Sequence, residues 1–230
     1  MTGARELLRW AEQQLGMASP NPALDAQILL AEATGLSRTH VLFRDRFEPH
    51  EEAQFRDWIE RRRKGEPIQY ISGRAYFRNL TLEVGPGVLI PRPESELLVS
   101  DVIAHLSEVA EPKVVDFGAG SGALALSIAT ELSKAKVTAV ERDSAAITWL
   151  ERNVKRVNME LIHKIEIVSA DVADFDGKQS FDVVIANPPY IPDQQALPNE
   201  VIDFEPRAAL FGGPEGLDAP RVFIAAGLRA

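Results

Sequence analysis

Cysteine is absent from the 230 residues, which excludes disulfides and every thiolate metal site. A surplus of positive charge is absent too: 25 Lys and Arg face 34 Asp and Glu, a formal net charge of -9. Broad electrostatic attraction to a nucleic-acid backbone or an anionic membrane therefore has no support in composition. No apolar run approaches the roughly 18 residues needed to span a bilayer. The opening MTGARELLRW lacks the apolar stretch of a secretory signal. The four histidines, His40, His50, His105 and His163, have no ligand-like spacing, so no metal is expected. A cytoplasmic location is the expectation, and the length suits one large domain with a smaller one.

What is present divides the chain in two. Up to about residue 70 the pattern is helical, with no strand-like alternation. Asn21 before Pro22 makes an N-cap and first-turn pair, followed by a stripe of Leu24, Ile28 and Leu29 that ends at Gly35. Ser37 caps a short helix carrying Val41 and Leu42, and Pro49 opens another with Phe55, Trp58 and Ile59 on one face. Arg61, Arg62, Arg63 and Lys64 read as a solvated helix face. Between residues 75 and 90 the period changes to that of a hairpin, with Leu82 and Val84 sharing a face. Leu97, Leu98, Ile103 and Leu106 then predict a helix laid on a larger domain.

From residue 113 parallel strands and helices alternate: KVVDF, KVTAV, KIEIVSA and the strand of FDVVIANPPY are the strands, with helical segments between them. This is the pattern of a doubly wound sheet, which binds ligands at the carboxyl ends of its strands. Only four core strands precede Ala230, so the sheet is expected to be C-terminally incomplete, or its edge closed by another surface.

Two segments carry chemistry. Gly118, Ala119, Gly120, Ser121 and Gly122 follow the first strand and open a helix, letting backbone pass close to a nucleoside or amino-acid portion of a cofactor. Glu141 ends the second strand, where a carboxylate accepts from ribose hydroxyls, as it would for either NAD or S-adenosylmethionine. Asp171, ending the third strand, is a candidate acceptor for an adenine amino group or a helix cap. After the fourth strand come Asn187, Pro188, Pro189 and Tyr190. The prolines restrict φ and lack N–H groups, and Asn187 offers one acceptor and one donor group on a short stem. That set suits an amide or aromatic amine whose NH2 must be fixed while its nitrogen faces an electrophile, with Tyr190 packing on a planar group.

DFGAGSG with NPPYI resembles the class I S-adenosylmethionine-dependent methyltransferases that modify planar nitrogen groups. IPRPESELL at 90–98 and EPRAALFGGPEGL at 205–217 make the chain similar, along its whole length, to the peptide chain release factor N5-glutamine methyltransferase family. The resemblance implies a Rossmann-like methyltransferase domain over 92–230, a helical substrate-recruiting domain over 1–73 and a β-hairpin linker over 74–91. It implies methylation of the glutamine side-chain amide in the Gly-Gly-Gln motif of release factors. S-adenosyl-L-methionine is the implied donor and S-adenosyl-L-homocysteine the product, with no metal, no direct nucleic-acid binding and no membrane.

By resemblance, residues 118–122 and Glu141 hold the cofactor, Asp171 and Val172 lie near its adenine, Asn187 to Tyr190 hold the glutamine, and Asn187 also contacts the cofactor. Asn187 and the Pro188 carbonyl accept the amide hydrogens. Ser95 stands where the family commonly has threonine, Glu141 where aspartate is usual, and Val172 where an aromatic is frequent. Family members also continue through three further strands. Adenine-N6 methyltransferases share NPPY and are the enzyme alternative, and a noncatalytic release-factor-binding module is the other. Arg92, Glu94 and Glu96 are read as bordering the cofactor mouth or pairing on the surface. Phe204, Glu205, Pro206 and Arg207 are read as shaping a substrate entrance or as plain loop.

Overall fold

The structure is a computed structural model and describes residues 3–158, 165–177 and 180–230. The chain forms two compact units. One runs to Gly73 and takes in Pro198–Phe204; the other holds Arg74–Leu197 and Glu205–Ala230.

The first unit is helical: α1 (Ala4–Leu15), α2 (Pro22–Thr34), α3 (Arg38–Leu42), α4 (Pro49–Arg63) and α5 (Ile68–Ser72). Asn21 caps α2 by accepting from the Leu24 N–H at 3.2 Å, and Ser37 caps α3 by accepting from His40. Phe55, Trp58 and Ile59 of α4 are buried, as the spacing predicts. The face of α2 differs from expectation. Leu24 is exposed and Ile28 only half-buried, while Ala26, Leu29 and Leu30 enter the core. The inward stripe thus runs i, i+3, i+4 from Ala26.

Arg62 corrects the reading of a solvated basic face. It is 4% exposed and donates to Asp25 Oδ2 at 2.7 Å and Glu200 Oε2 at 2.7 Å. Ser19 also donates to that Asp25 oxygen, at 2.7 Å. Glu200 lies on α9 (Asn199–Ile202), so a buried cation ties this late segment to the helical unit. A buried guanidinium is tolerated because its charge and donors are matched.

The second unit begins with a hairpin of β1 (Arg74–Phe77) and β2 (Leu80–Glu83). Arg78, in its two-residue turn, has φ +50°, the left-handed region. Its side chain donates to both Glu131 oxygens, at 2.6 and 2.7 Å, and to the Glu96 carbonyl, while its backbone N–H donates to Glu96 Oε1. These bonds hold a conformation that costs a non-glycine residue about 1 kcal/mol. Helix α6 (Glu96–Leu106) follows. Its buried face is Val99, Val102 and Leu106, whereas Leu97 is 70% exposed and Leu98 also faces solvent. Val99, Val102 and Leu106, at i, i+3 and i+7, rather than the leucines at 97 and 98, point inward.

The sheet is parallel: β3 (Lys113–Phe117), β4 (Lys136–Glu141), β5 (Ile165–Ser169) and β6 (Val183–Ala186), in the order β5-β4-β3-β6. Lys164, the expected start of the third strand, and His163 lie outside the described residues. Helices α7 (Ala123–Glu131) and α8 (Ser144–Asn158) connect the first three strands. Alternate residues enter opposite layers. Val114, Val137 and Ala139 pack with α6, α7 and α8, while Val115, Phe117 and Val140 pack with Val172, Phe223 and Ala226. Two short helices close the described chain, α10 (Arg207–Leu210) and α11 (Asp218–Gly227). Among the described residues, no helix is long and apolar enough to cross a membrane.

Candidate active site

The strand order reverses between β3 and β6, and a cavity of about 220 Å³ opens at the carboxyl ends of the strands. A doubly wound sheet offers its ligand crevice at this switch point, because loops from neighbouring strands diverge to opposite faces there. Residues 118–121, Glu141, Asp171, Val172, Asn187 and Pro189 all line it. Gly122, Pro188 and Tyr190 do not, and Tyr190 is 62% exposed.

The first wall is built locally. Gly118 and Ala119 donate their N–H groups to the Val140 carbonyl at 2.9 and 3.1 Å, extending the β3–β4 pairing into the turn. Gly120 has φ +56°, and a β-carbon there would meet nothing nearer than Val88 Cγ2 at 3.9 Å. Its N–H donates to Glu141 Oε2 at 2.9 Å. The other carboxylate oxygen accepts from the N–H groups of Arg142 and Asp143, at 2.8 and 2.9 Å. Glu141 is thus buried with its orientation set by three backbone donors, which leaves one lone pair, on Oε2, for a further donor.

Asp171 is more committed than the sequence indicates. Oδ1 accepts from Ala173 N–H at 2.9 Å, capping a short 3₁₀ turn, and Oδ2 accepts from Arg142 at 2.7 Å. The Ala173 N–H and then the Arg142 guanidinium hold its carboxyl below the usual aspartate range. Val172 is buried beside it and supplies apolar wall.

Beneath the turn lies Asp116, fully buried at the end of β3. Oδ2 accepts from Ala125 N–H at 3.1 Å, and Oδ1 has no hydrogen-bond partner among the described residues. Burial, with repulsion from Glu141 adding to it, pushes this carboxyl up to about 7 against the one opposing hydrogen bond.

The second wall is assembled from afar. Ala186 pairs in register with Phe117, so Asn187 leaves β6 beside the start of the glycine turn. Asn187 donates through Nδ2 to the Ser95 hydroxyl at 3.2 Å. The segment beyond it rests on residues 210–216. Ile191 donates to the Leu210 carbonyl at 3.0 Å, Gly212 donates to the Ile191 carbonyl at 2.9 Å, and Asp193 donates to the Gly213 carbonyl at 3.0 Å. Gly216 has φ +73°, and a β-carbon there would collide with the Tyr190 carbonyl oxygen. A β-carbon at Gly212 would likewise meet the Pro189 carbonyl, so Gly212 and Gly216 serve close backbone approach beneath NPPY.

Asn153 and Phe223 were not among the sequence candidates for the site. Asn153, fully buried on α8, accepts from Glu83 N–H at 2.7 Å and donates to the carbonyls of Glu83 and Ser121, at 3.0 and 2.9 Å. It joins the hairpin to the glycine turn. Its only sequence signal was an asparagine inside an otherwise good helix, where asparagine is a poor helix former. Phe223 of α11 lines the cavity and meets Phe117 edge to face at 6.4 Å. Arg92 lines it too and pairs with Glu205 at 2.6 Å, a carboxylate whose side chain is 2% exposed. The arginine was weighed for the mouth and the glutamate for the entrance, and one ion pair unites them.

A parallel α/β sheet with a glycine-turn cavity at its switch point is a Rossmann-like fold, the one class I methyltransferases have. Residues 6–73 match the PrmC N-terminal domain family and residues 93–209 the methyltransferase small domain family. A release factor glutamine methyltransferase of Mycolicibacterium smegmatis is 37% identical over 231 residues, covering 100% of this chain and 81% of that protein. One of Burkholderia pseudomallei is 40% identical over 228 residues, covering 96% and 77%. The chain belongs to the release factor glutamine methyltransferase family. Among solved structures, the hMettl16 catalytic domain in complex with the MAT2A 3′UTR hairpin 6 shares the fold, with a TM-score of 0.50 and 16% identity over 80% of this chain and 64% of that one.

Proposed function

We propose that this protein methylates the side-chain amide nitrogen of the glutamine in the Gly-Gly-Gln motif of a peptide chain release factor, using S-adenosyl-L-methionine. The observation that carries the reading is a single cavity lined on one side by the glycine turn with Glu141 and on the other by Asn187. The fittings of the first wall suit S-adenosylmethionine: a side-chain-free Gly120, a buried carboxylate with one lone pair left for a ribose hydroxyl, and the apolar Val172 for a base. In this reading residues 118–122 and Glu141 hold the ribose and amino-acid portions, and Asp171 and Val172 flank adenine. Arg142 already engages one Asp171 oxygen, so that carboxylate acts at the adenine edge only through its remaining lone pairs.

When bound, the cofactor supplies an electrophilic methyl group on a sulfur leaving group, and S-adenosyl-L-homocysteine is the product. The protein's own part is orientation. Asn187 Oδ1 and the Pro188 carbonyl accept the two substrate N–H hydrogens, fixing the amide nitrogen in the direction of attack, and Tyr190 borders the entering peptide. An amide nitrogen is a weak nucleophile, so removing its rotational freedom is worth several kcal/mol of barrier. On transfer the amide nitrogen would exchange one of its two protons, released to solvent, for the methyl group. The net charge of -9 supports a protein substrate over nucleic acid.

Mass spectrometry of an unmethylated release factor, incubated with this protein and S-adenosylmethionine, tests the reading. One added methyl group on the Gly-Gly-Gln glutamine is expected. Transfer to duplex DNA or RNA in parallel reactions, with none to release factor, would move the assignment to adenine-N6 chemistry. Binding of release factor without any transfer would mark a noncatalytic module.

A further inference from the structure

Asn187 carries the chemistry proposed above only if its amide plane is held, and residues of a distant segment provide that hold. Asn187 is half-buried at the cavity, and its Nδ2–Ser95 Oγ bond is its only side-chain hydrogen bond among the described residues. Nothing in β6 restrains the terminal torsion of an asparagine that has just left the strand, and such torsions are broad and soft.

Ser95, by contrast, sits on a fixed base. It ends a 3₁₀ turn over Pro93–Ser95, and its N–H donates to the Arg92 carbonyl at 3.0 Å. Arg92 donates from Nη2 to Glu205 Oε1 at 2.6 Å, and the Ile90 N–H donates to Glu205 Oε2 at 3.0 Å. One buried carboxylate thus clamps the Ile90–Arg92 strap from both ends, and Ser95 projects from the clamped turn. Charge-assisted bonds of this kind are among the stronger in proteins.

Resting on the functional reading above, we infer that Ser95 is a positioning residue for methyl transfer: its hydroxyl, anchored through Arg92 and Glu205, fixes the plane of the Asn187 amide so that Oδ1 faces the substrate nitrogen. A hydroxyl both donates and accepts, so the bond sets the plane, and the substrate N–H selects the oxygen edge of Asn187. The hydroxyl is the required feature, and an added methyl on the half-exposed side chain is tolerated.

The test is steady-state methyl transfer to unmethylated release factor by wild type, Ser95→Ala and Ser95→Thr. Affinity for S-adenosylmethionine is measured by calorimetry and thermal stability alongside. Loss of one hydrogen bond to the reacting assembly predicts a kcat about tenfold lower for Ser95→Ala, with cofactor affinity and melting temperature near wild type. Ser95→Thr restores kcat to within about twofold. The Asn187 side-chain amide resonances, identified by their loss in Asn187→Ala, shift in Ser95→Ala and not in Ser95→Thr. Equal kcat for Ser95→Ala and wild type overturns the role alone and leaves the functional reading standing. A matching fall in Ser95→Thr also overturns it, since shape rather than the hydroxyl would then matter. A wild-type protein that transfers no methyl to release factor overturns both.

Discussion

The two walls of the cavity are built by opposite means. The glycine turn is held by its neighbours in the sheet: Val140 accepts two of its N–H groups and Glu141 a third, all at the end of the adjacent strand. The Asn187–Tyr190 wall has no such local support. It depends on Ser95, far earlier in the chain, and on the glycines of 212–216, which return beneath it. A cofactor common to a whole fold class can be met by a turn whose geometry comes with the fold. A particular substrate amide demands a surface gathered from several segments, and such a surface is exposed to damage at each of them.

The sharpest way to break the comparison is Asn187→Ala. Turnover should fall at least about 100-fold, the scale of losing a preorganised partner of the reacting group. Cofactor affinity should stay near wild type, because the first wall is untouched. Equal turnover in a direct methyl-transfer assay would remove Asn187 from its assigned role.

Gly216→Ala probes the remote strut. A side chain must take φ +73° and collide with the Tyr190 carbonyl, which is backbone and has little room to yield. A loss of about 3 kcal/mol is expected, combining overpacking with left-handed strain. Denaturant titration measures it, and turnover should fall further than cofactor affinity.

Asp116→Asn examines the foundation of the first wall. The folded-state pKa of Asp116, about 7, lies above the ordinary aspartate value of 3.8. Its contribution to stability is therefore complete below about pH 4 and is lost as pH rises through about 7. Between about pH 5.5 and about pH 7.5 the wild type should lose about 2 kcal/mol relative to the variant, which cannot titrate there. Parallel pH dependences for the two proteins would show that Asp116 does not titrate in this window.

The smallest effect belongs to Gly120→Ala. The methyl group would make only ordinary van der Waals contact with Val88, so conformational strain of about 1 kcal/mol is expected. A modest drop in melting temperature, with weakened cofactor binding and unchanged behaviour of Asn187, would sharpen the contrast with Gly216.

Legibility in the sequence follows the same division. The hairpin, the four strands and the turn at 118–122 were readable because each rests on period, propensity and neighbours. The faces of α2 and α6 were read in part: Leu29 and Leu106 are buried as expected, whereas Leu24, Leu97 and Leu98 are exposed and Ala26, Val99 and Val102 enter the core instead. Arg62 was read as solvated because its two carboxylate partners, Asp25 and Glu200, lie 37 and 138 residues away. Asn153 escaped the candidate list for the same reason, and Arg92 and Glu205 were read separately rather than as a pair, since long-range pairing leaves no mark on local spacing.

The sequence by itself determined the elements, the position of the glycine turn after the first core strand, and the presence of an amide-bearing Asn187 after the fourth. Each of these follows from residues within a few positions of one another. Only the tertiary structure decided that Gly122, Pro188 and Tyr190 stand outside the cavity lining, and that Asp171 is already engaged by Ala173 and Arg142. It alone placed Ser95 against Asn187 and buried Asp116 without a second partner among the described residues. Hydrogen bonds and burial depend on which segments meet in space, and that is set by the packing of the sheet and its connections rather than by any stretch of chain.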